Sequence, residues 1–246
     1  MIKDSLVKAF KDINISINDE QVDKFIKYYD ILIEWNKVMN LTAITNEDDV
    51  ISKHFVDSIA LVLFDKFNFV DKVDSSDITS VIDIGTGAGF PGIPLKIMFP
   101  SLKVTLLDSL NKRVKFLNHV IEELELNNII AIHGRAEDIA KKEGYRENYD
   151  LCVSRAVSNL ATLSEYCLPF VRVGKYFVLY KSQKLETEID GAKKSISVMG
   201  GKLISKYKFN LHGTDDERTF AYIKKVKNTP KNYPRGGNKP AKEPIC

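Results

Sequence analysis

Cysteine is scarce. The 246-residue chain holds three, Cys152, Cys167 and Cys246, far apart and with no C-x-x-C pair. That pattern argues against a disulfide framework or a structural zinc and for a reducing compartment. Long apolar runs are missing as well. Nothing approaches the roughly 20 consecutive apolar residues of a membrane span, and Met1-Ile2-Lys3-Asp4 has no signal-peptide core. The expectation is a cytoplasmic protein with no membrane partner. No internal repeat or low-complexity stretch is present, and no nucleophile–base pair stands out. Net charge is small, +3. The remaining composition, 44% hydrophobic and 28% charged, is that of an ordinary globular protein, long enough for one large domain or a medium one with an appendage. Only the charge distribution is uneven. From Lys224 onward there are seven Lys or Arg against one acid, Glu243, which is a solvated tail or an electrostatic footprint for nucleic acid.

The first ~65 residues read as helices. Ser16 and Asn18 are candidate caps before the stripe Val22, Phe25, Ile26, Tyr29, Leu32, Ile33, and a second helix opens at Asn46-Glu47-Asp48-Asp49. Residues 65–77 are charged and make a boundary. From Ile78 short apolar runs (79–84, 103–107, 129–132, 149–153, 175–180) alternate with helical stretches (92–99, 110–125, about 136–142, 159–168). This predicts βαβ units and a parallel sheet covered on both faces. A helix at 185–199 stops at Gly200-Gly201. Segments 202–211 and 217–226 then form an antiparallel hairpin. The expected organisation is a helical extension over 1–77, a cofactor-binding α/β domain over 78–227, and a basic, extended, surface-lying segment over 228–246.

The most informative stretch is Val81-Ile-Asp-Ile-Gly-Thr-Gly-Ala-Gly-Phe-Pro-Gly92. A strand runs into Gly85, Gly87 and Gly89, and the loop feeds a helix whose first N–H groups would favour an anion. Glycine lets backbone lie against a ligand and adopt φ > 0. Counted from Gly87, the loop matches the dinucleotide fingerprint G-x-G-x-x-G. But the glycine that directly follows the strand is Gly85, and five residues on stands Phe90 followed by Pro91. Counted from Asp83 it reads D-x-G-x-G-x-G, which resembles motif I of S-adenosylmethionine-dependent methyltransferases of class I. Asp108 ends the next strand, where a carboxylate can accept both ribose hydroxyls; the alternative is a cap for the helix that follows.

Further strings extend the resemblance. They are Trp35-Asn36-x-x-x-Asn40-Leu41-Thr42, His54-Phe55-x-Asp57-Ser58, Gly-Phe-Pro-Gly-Ile-Pro at 89–94, Leu107-Asp108-Ser109-x-x-Lys112-Arg113, Gly134-Arg135-Ala136-Glu137-Asp138, Ser154-Arg155-Ala156-Val157 and Tyr233-Pro234-Arg235-x-x-Gly. Nearly end to end, the chain resembles the ribosomal RNA small-subunit methyltransferase G family, also called glucose-inhibited division protein B. One local departure is Tyr180-Lys181-Ser182, where the family pattern has an apolar residue, Lys and Gly. The resemblance implies a Rossmann-like class I methyltransferase fold with a seven-stranded mixed sheet. It implies an enzyme that uses S-adenosyl-L-methionine to methylate N7 of one guanine in 16S rRNA, free or in the assembling subunit; a monomer is expected. It implies that Gly85, Phe90, Ala136, Glu137 and Arg155 border the cofactor; Asp83, Gly87, Gly89 and Asp108 join them from motif I. For Ala136-Glu137-Asp138 the alternative is the acidic first turn of a helix.

Guanine N7 carries a lone pair and no proton, so placement and electrostatics suffice and no general base is needed. Arg155 could pair a phosphate or a guanine edge, or hold a loop by a salt bridge. Lys181, after the next strand, is a second positioning candidate. His54 and Asp57 are one turn apart and could face substrate or simply each other. Asn40, Lys231, Tyr233 and Arg235 complete the expected substrate-binding set. His119, His133 and His212 lack partners at metal-ligand spacing and are expected to be structural or exposed, with no metal.

Overall fold

Val81, Leu151, Val153 and Val178 turn to one face of a sheet, while Ile82, Cys152, Phe177 and Leu179 turn to the other. That period of two, on strands apolar on both sides, is the physical signature of a sheet sandwiched between helical layers. The computed structural model describes residues 2–64, 67–155, 158–181, 185–211, 213, 214 and 216–246. His212, Ala156, Val157 and Ser182 lie outside the described residues.

Seven strands form one mixed sheet: β1 (Ser80–Ile84), β2 (Lys103–Asp108), β3 (Ile129–His133), β4 (Tyr149–Ser154), β5 (Val171–Lys181), β6 (Gly201–Asn210) and β7 (Glu217–Lys225). Their spatial order is β3-β2-β1-β4-β5-β7-β6. The first five are parallel, and β7 pairs antiparallel with both β5 and β6. The order reverses between β1 and β4, and in open α/β sheets the crevice at the strands' carboxyl ends at such a switch point is where ligands bind.

One face is covered by helices that precede the sheet in sequence: α1 (Ile2–Asp12), α2 (Asp19–Met39), and a continuous helical run made of α3 (Glu47–Val50), a π-helical segment Ile51–Val56, α4 (Asp57–Ile59) and a 3₁₀ turn Ala60–Leu63. Asn18 starts α2 with a capping box, its side chain accepting from Gln21 N while Gln21 returns to Asn18 N. α2 buries Val22, Phe25, Tyr28, Ile31 and Leu32 and ends at Asn40, which takes the left-handed conformation. The described part of the expected boundary, residues 67–77, packs into the core. Phe67 and Phe69 are fully buried in the same core as the sheet, and α5 (Phe69–Asp74) runs through this stretch. α6 (Gly92–Met98) and α7 (Asn111–Glu123) complete this layer. Trp35 packs on Phe116 and His119 of α7, and His133 bonds the Ser109 carbonyl at 3.1 Å. The opposite face is covered by α8 (Ala136–Ile139), α9 (Leu160–Cys167) and α10 (Leu185–Val198).

The carboxyl-terminal segment is not a loose extension. Arg146 donates to the carbonyls of Thr229, Pro230 and Tyr233. Glu147 accepts from Thr229 N and Asn228 Nδ2. Fully buried Lys225 donates to Thr229 Oγ1 and to the Leu168 carbonyl, each at 2.6 Å. Arg235 forks onto Glu165 of α9, which is 1% exposed, before a last turn, α11 (Lys239–Lys242). Among the described residues no helix is long and apolar enough to cross a membrane.

Candidate functional site

The glycine loop leaves β1 at the switch point. Gly85, Gly87 and Gly89 have φ of 69°, 62° and 96°, a region closed to most side chains. Two neighbours fix the path. Asp83 Oδ2 accepts from Thr86 Oγ1 at 2.7 Å and Gly92 N at 2.9 Å, and Tyr28 OH donates to the Ala88 carbonyl. A Cβ on Gly89 would meet Tyr28 OH at 2.7 Å, whereas one on Gly87 would meet nothing within 4 Å. Gly87 therefore faces open space, and Gly89 faces the protein.

The expected anion site at the start of α6 is not formed. Gly92 N is committed to Asp83, Ile93 N to the Gly89 carbonyl, and Pro94 has no N–H. Asp83 itself is fully buried and shapes the loop from beneath. Its Oδ1 has no hydrogen-bond partner, and burial pushes its carboxyl up to about 6. Asp108 is the carboxylate of the upper surface. It accepts from Gly87 N at 3.0 Å and Leu110 N at 2.9 Å, with Arg113 at 3.4 Å. The first residue before α7 is Leu110, so Asp108 ties the two loops together and does not cap the helix.

Two adjoining clefts open on this surface and share Gly85, Ser109 and Ser158. The first, about 360 Å³, is a slot with apolar walls at Ile84, Leu107, Leu110 and Leu163, closed by Ala136, Glu137, Tyr166 and Asn238. The second, about 670 Å³, is lined by Gly87, Phe90, Asp108, Thr42, His54 and Arg155. Gly85, Gly87, Phe90, Asp108, Ala136, Glu137, Arg155 and His54 are thus gathered around one space, while Asp83 and Gly89 support it.

The wall of the second cleft comes from the π-helical segment, a rare form often found at functional sites. His54 stacks on Phe90, 4.5 Å between ring centroids at 19°. Arg155 lies over the same Phe90 ring at 5.0 Å. It donates to Asp57 Oδ2 at 2.9 Å, to the Lys53 carbonyl at 3.2 Å, and from Nη2 to His54 Nδ1 at 3.3 Å. Because a guanidinium only donates, Nδ1 must be the bare nitrogen. Burial, then the Arg155 charge, hold His54 down at about 3, so the neutral ring carries its proton on Nε2 and donates to Thr42 Oγ1 at 2.8 Å. Thr42 Oγ1 also accepts from Ile44 N. Its own proton is then the donor left for the cleft. Asn36 and Asn40 build the turn that presents Thr42: Asn36 Oδ1 accepts from Thr42 N at 2.9 Å, and Asn40 ends α2.

The remaining expected residues lie elsewhere. Asp57 is 3% exposed and clamped between Arg155 and Arg218, whose Nε is 3.2 Å from Oδ1. It has no face toward either cleft. Asn40 is exposed and lines neither cleft. Lys181 donates to the Ser158 carbonyl at 2.8 Å and pairs with Glu188 at 3.0 Å, so it braces the shared rim from behind. Arg235 is occupied by Glu165, Tyr233 packs against the second core, and Lys231 is exposed. Thr42, Tyr166, Arg218 and Asn238 were missed as site residues. Thr42 sits inside a string quoted above, but single residues from four distant segments leave no local pattern.

Sheet order, switch-point glycine loop and terminal carboxylate on β2 together define the Rossmann-like class I methyltransferase fold. A solved structure described under the conversion of a disulfide bond into a thioacetal group during echinomycin biosynthesis shares that fold. It has a TM-score of 0.50 and 14% identity, over 65% of this chain and 82% of that one. Sequence comparison goes further. The model of the family described as rRNA small subunit methyltransferase G (GidB) matches residues 21–217. Ribosomal RNA small subunit methyltransferase G of Lachnoclostridium phytofermentans is 50% identical over 98% of this chain and 96% of its own length. The Clostridium tetani protein of the same name is 47% identical over 98% of each. The chain belongs to the rRNA small subunit methyltransferase G family.

Proposed function

We propose that the chain transfers the methyl group of S-adenosyl-L-methionine to N7 of a guanine in small-subunit ribosomal RNA. The slot beside Asp108 has the shape and lining for adenosine. Its apolar walls take the base, Asp108 has an unused lone pair on Oδ1 for ribose hydroxyls, and Gly85 and Gly87 let backbone approach the amino-acid portion. When bound, this cofactor supplies an electrophilic methyl group on a sulfonium.

The observation that carries the choice of N7 is the state of His54. It is the imidazole of the reaction cleft, and both its nitrogens are engaged, one by Arg155 and one by Thr42. It cannot take a proton from substrate, and a guanine N7 has none to give. In the displacement the N7 lone pair forms the new N–C bond, the S–C pair returns to sulfur, and the positive charge moves to the purine. His54, backed by the buried Phe90 ring, offers its outer face for a base to stack on. Thr42 donates to an acceptor on the base's edge, and Arg155 holds both rings in place. Fixed donors around the cleft favour this step by orientation, with no proton transfer. The guanine must be unstacked to enter, which favours a particle that presents it over naked RNA. Exposed Lys231, Lys239 and Lys242 supply the phosphate contacts.

The test is incubation with methyl-labelled cofactor and small subunits lacking the modification, followed by cleavage at 7-methylguanine. One labelled guanine is the expected result. Label on protein, on another base, or nowhere rejects the proposal.

A further inference from the structure

Part of the basic carboxyl-terminal segment stands in the wall of the first cleft. Asn238, far from the glycine loop in sequence, lines the slot together with Ala136, Glu137 and Tyr166. It is held from two sides. Its backbone N–H donates to Glu137 Oε1 at 3.2 Å, and Tyr166 OH donates to its Oδ1 at 3.0 Å. Glu137 is 3% exposed, so this anchor is a fixed part of the pocket floor. Asn238 sits at φ 61°, a left-handed conformation that asparagine tolerates better than most residues. With Oδ1 taken by Tyr166, the side-chain amide has two N–H donors and, among the described residues, no acceptor for them. The segment carrying it is fixed upstream by Arg146, Glu147 and Glu165, as described above.

We propose that the carboxyl-terminal segment completes the adenine pocket, with Asn238 donating from its side-chain amide to a ring nitrogen of the base. This rests on the S-adenosylmethionine reading of the slot. The donor makes Asn238 a specificity-determining residue. An adenine ring offers bare nitrogens on its edges as acceptors, and a buried donor that finds no acceptor is penalised by about 1–3 kcal/mol. Lys231, Lys239 and Lys242 remain exposed, so one segment closes the cofactor pocket with one side and offers charge to RNA with the other.

The experiment uses the full chain and isothermal titration with S-adenosylhomocysteine and with 5′-methylthioadenosine, which keeps the adenosine and lacks the amino acid. Asn238→Gly removes the amide and suits the positive φ, so the fold is retained. Asn238→Asp keeps the shape and places an acceptor beside Glu137. A net hydrogen bond of about 1 kcal/mol corresponds to about five-fold. The glycine variant should bind both ligands about five-fold more weakly, and the aspartate variant more weakly still. Affinity for small ribosomal subunits should stay within two-fold for both. Equal losses for the two ligands place the effect at the adenosine. Wild-type affinity for both ligands in both variants overturns the proposal, as does a loss confined to subunit binding. If the unaltered protein binds neither ligand, the cofactor reading itself fails, which is a distinct result.

Discussion

Removing the Asp57 carboxylate is the most revealing perturbation of the cleft wall. Its two oxygens separate Arg155, at 2.9 Å, from Arg218, at 3.2 Å. The carboxylate side chain is 4% exposed and each arginine side chain 19%. Asp57→Ala leaves two guanidinium groups facing each other with no counter-charge. Breaking a buried ion pair from one side costs about 3–5 kcal/mol. The partial exposure of both arginines lets water offset some of this, so about 3 kcal/mol is expected. Asp57→Asn, which keeps an acceptor, should cost about half as much. The consequence also reaches the site, because Arg155 is the residue that fixes His54 and covers Phe90. The alanine variant should lose kcat as well as stability. Urea midpoints at constant m-value give the first quantity, and single-turnover methylation of small subunits gives the second. Arg218→Ala in the Asp57→Ala background should cost less than it does alone, since the isolated charge is then removed. A destabilisation under 0.5 kcal/mol with unchanged turnover would refute the reasoning and make the triad a surface ornament.

Two glycines separate support from contact. A Cβ on Gly92 would press on Leu106 and lie 3.0 Å from Asp83 Oδ2, so Gly92→Ala should cost about 1–3 kcal/mol in chemical unfolding. Gly87→Ala meets open space, and with φ 62° it should cost only about 1 kcal/mol. Its larger effect should appear in cofactor titration. Acid should act on two groups with opposite sign. Asp83, raised to about 6, takes up its proton more readily folded than unfolded, so its contribution rises as pH falls from 7 toward 4, by about 3 kcal/mol in all. His54, lowered to about 3, binds protons more readily when unfolded, so its contribution is complete above pH 6.5 and is lost as pH falls from there toward 3. Asp77, Glu147 and Asp150, held below the usual carboxylate range by their partners, add to the acid-side decline, so unfolding midpoints against pH should show a shallower decline in His54→Gln and a steeper one in Asp83→Asn; unchanged profiles would contradict both assignments. Thr42→Val strips the acceptor from His54 Nε2 and the donor from the cleft. It should lower kcat well before it alters cofactor affinity, which steady-state and binding measurements separate.

The centre of the sheet was legible in the sequence because β1, β2 and β4 are buried on both faces and read as short apolar runs, the first two closed by Gly85 and Asp108. The glycine loop was legible because three positive-φ positions in close succession strongly favour glycine. α1 was folded into a general helical reading, since Leu6 and Phe10 are its only fully buried side chains. The boundary at 65–77 looked polar because charged residues surround Phe67 and Phe69, the two that matter. Asp57 and Arg235 read as binding residues because charge near a motif suggests contact. In the fold their charges are spent on Arg155, Arg218 and Glu165. Nothing in a linear string says which of two opposite charges will be buried against the other. Asn238 was out of reach for the same reason, since its partners come from α8 and α9.

The central claim is that the nucleophile is a ring nitrogen that needs placement and no base. The measurement that meets it directly is methyl transfer to small subunits reconstituted with 7-deazaguanine at the modified position, where a C–H replaces N7 and the rest of the base is kept. Binding of the substituted subunit near the normal affinity with no methyl transfer is the expected result. Transfer at an undiminished rate to the substituted base would place the nucleophile elsewhere and contradict the account.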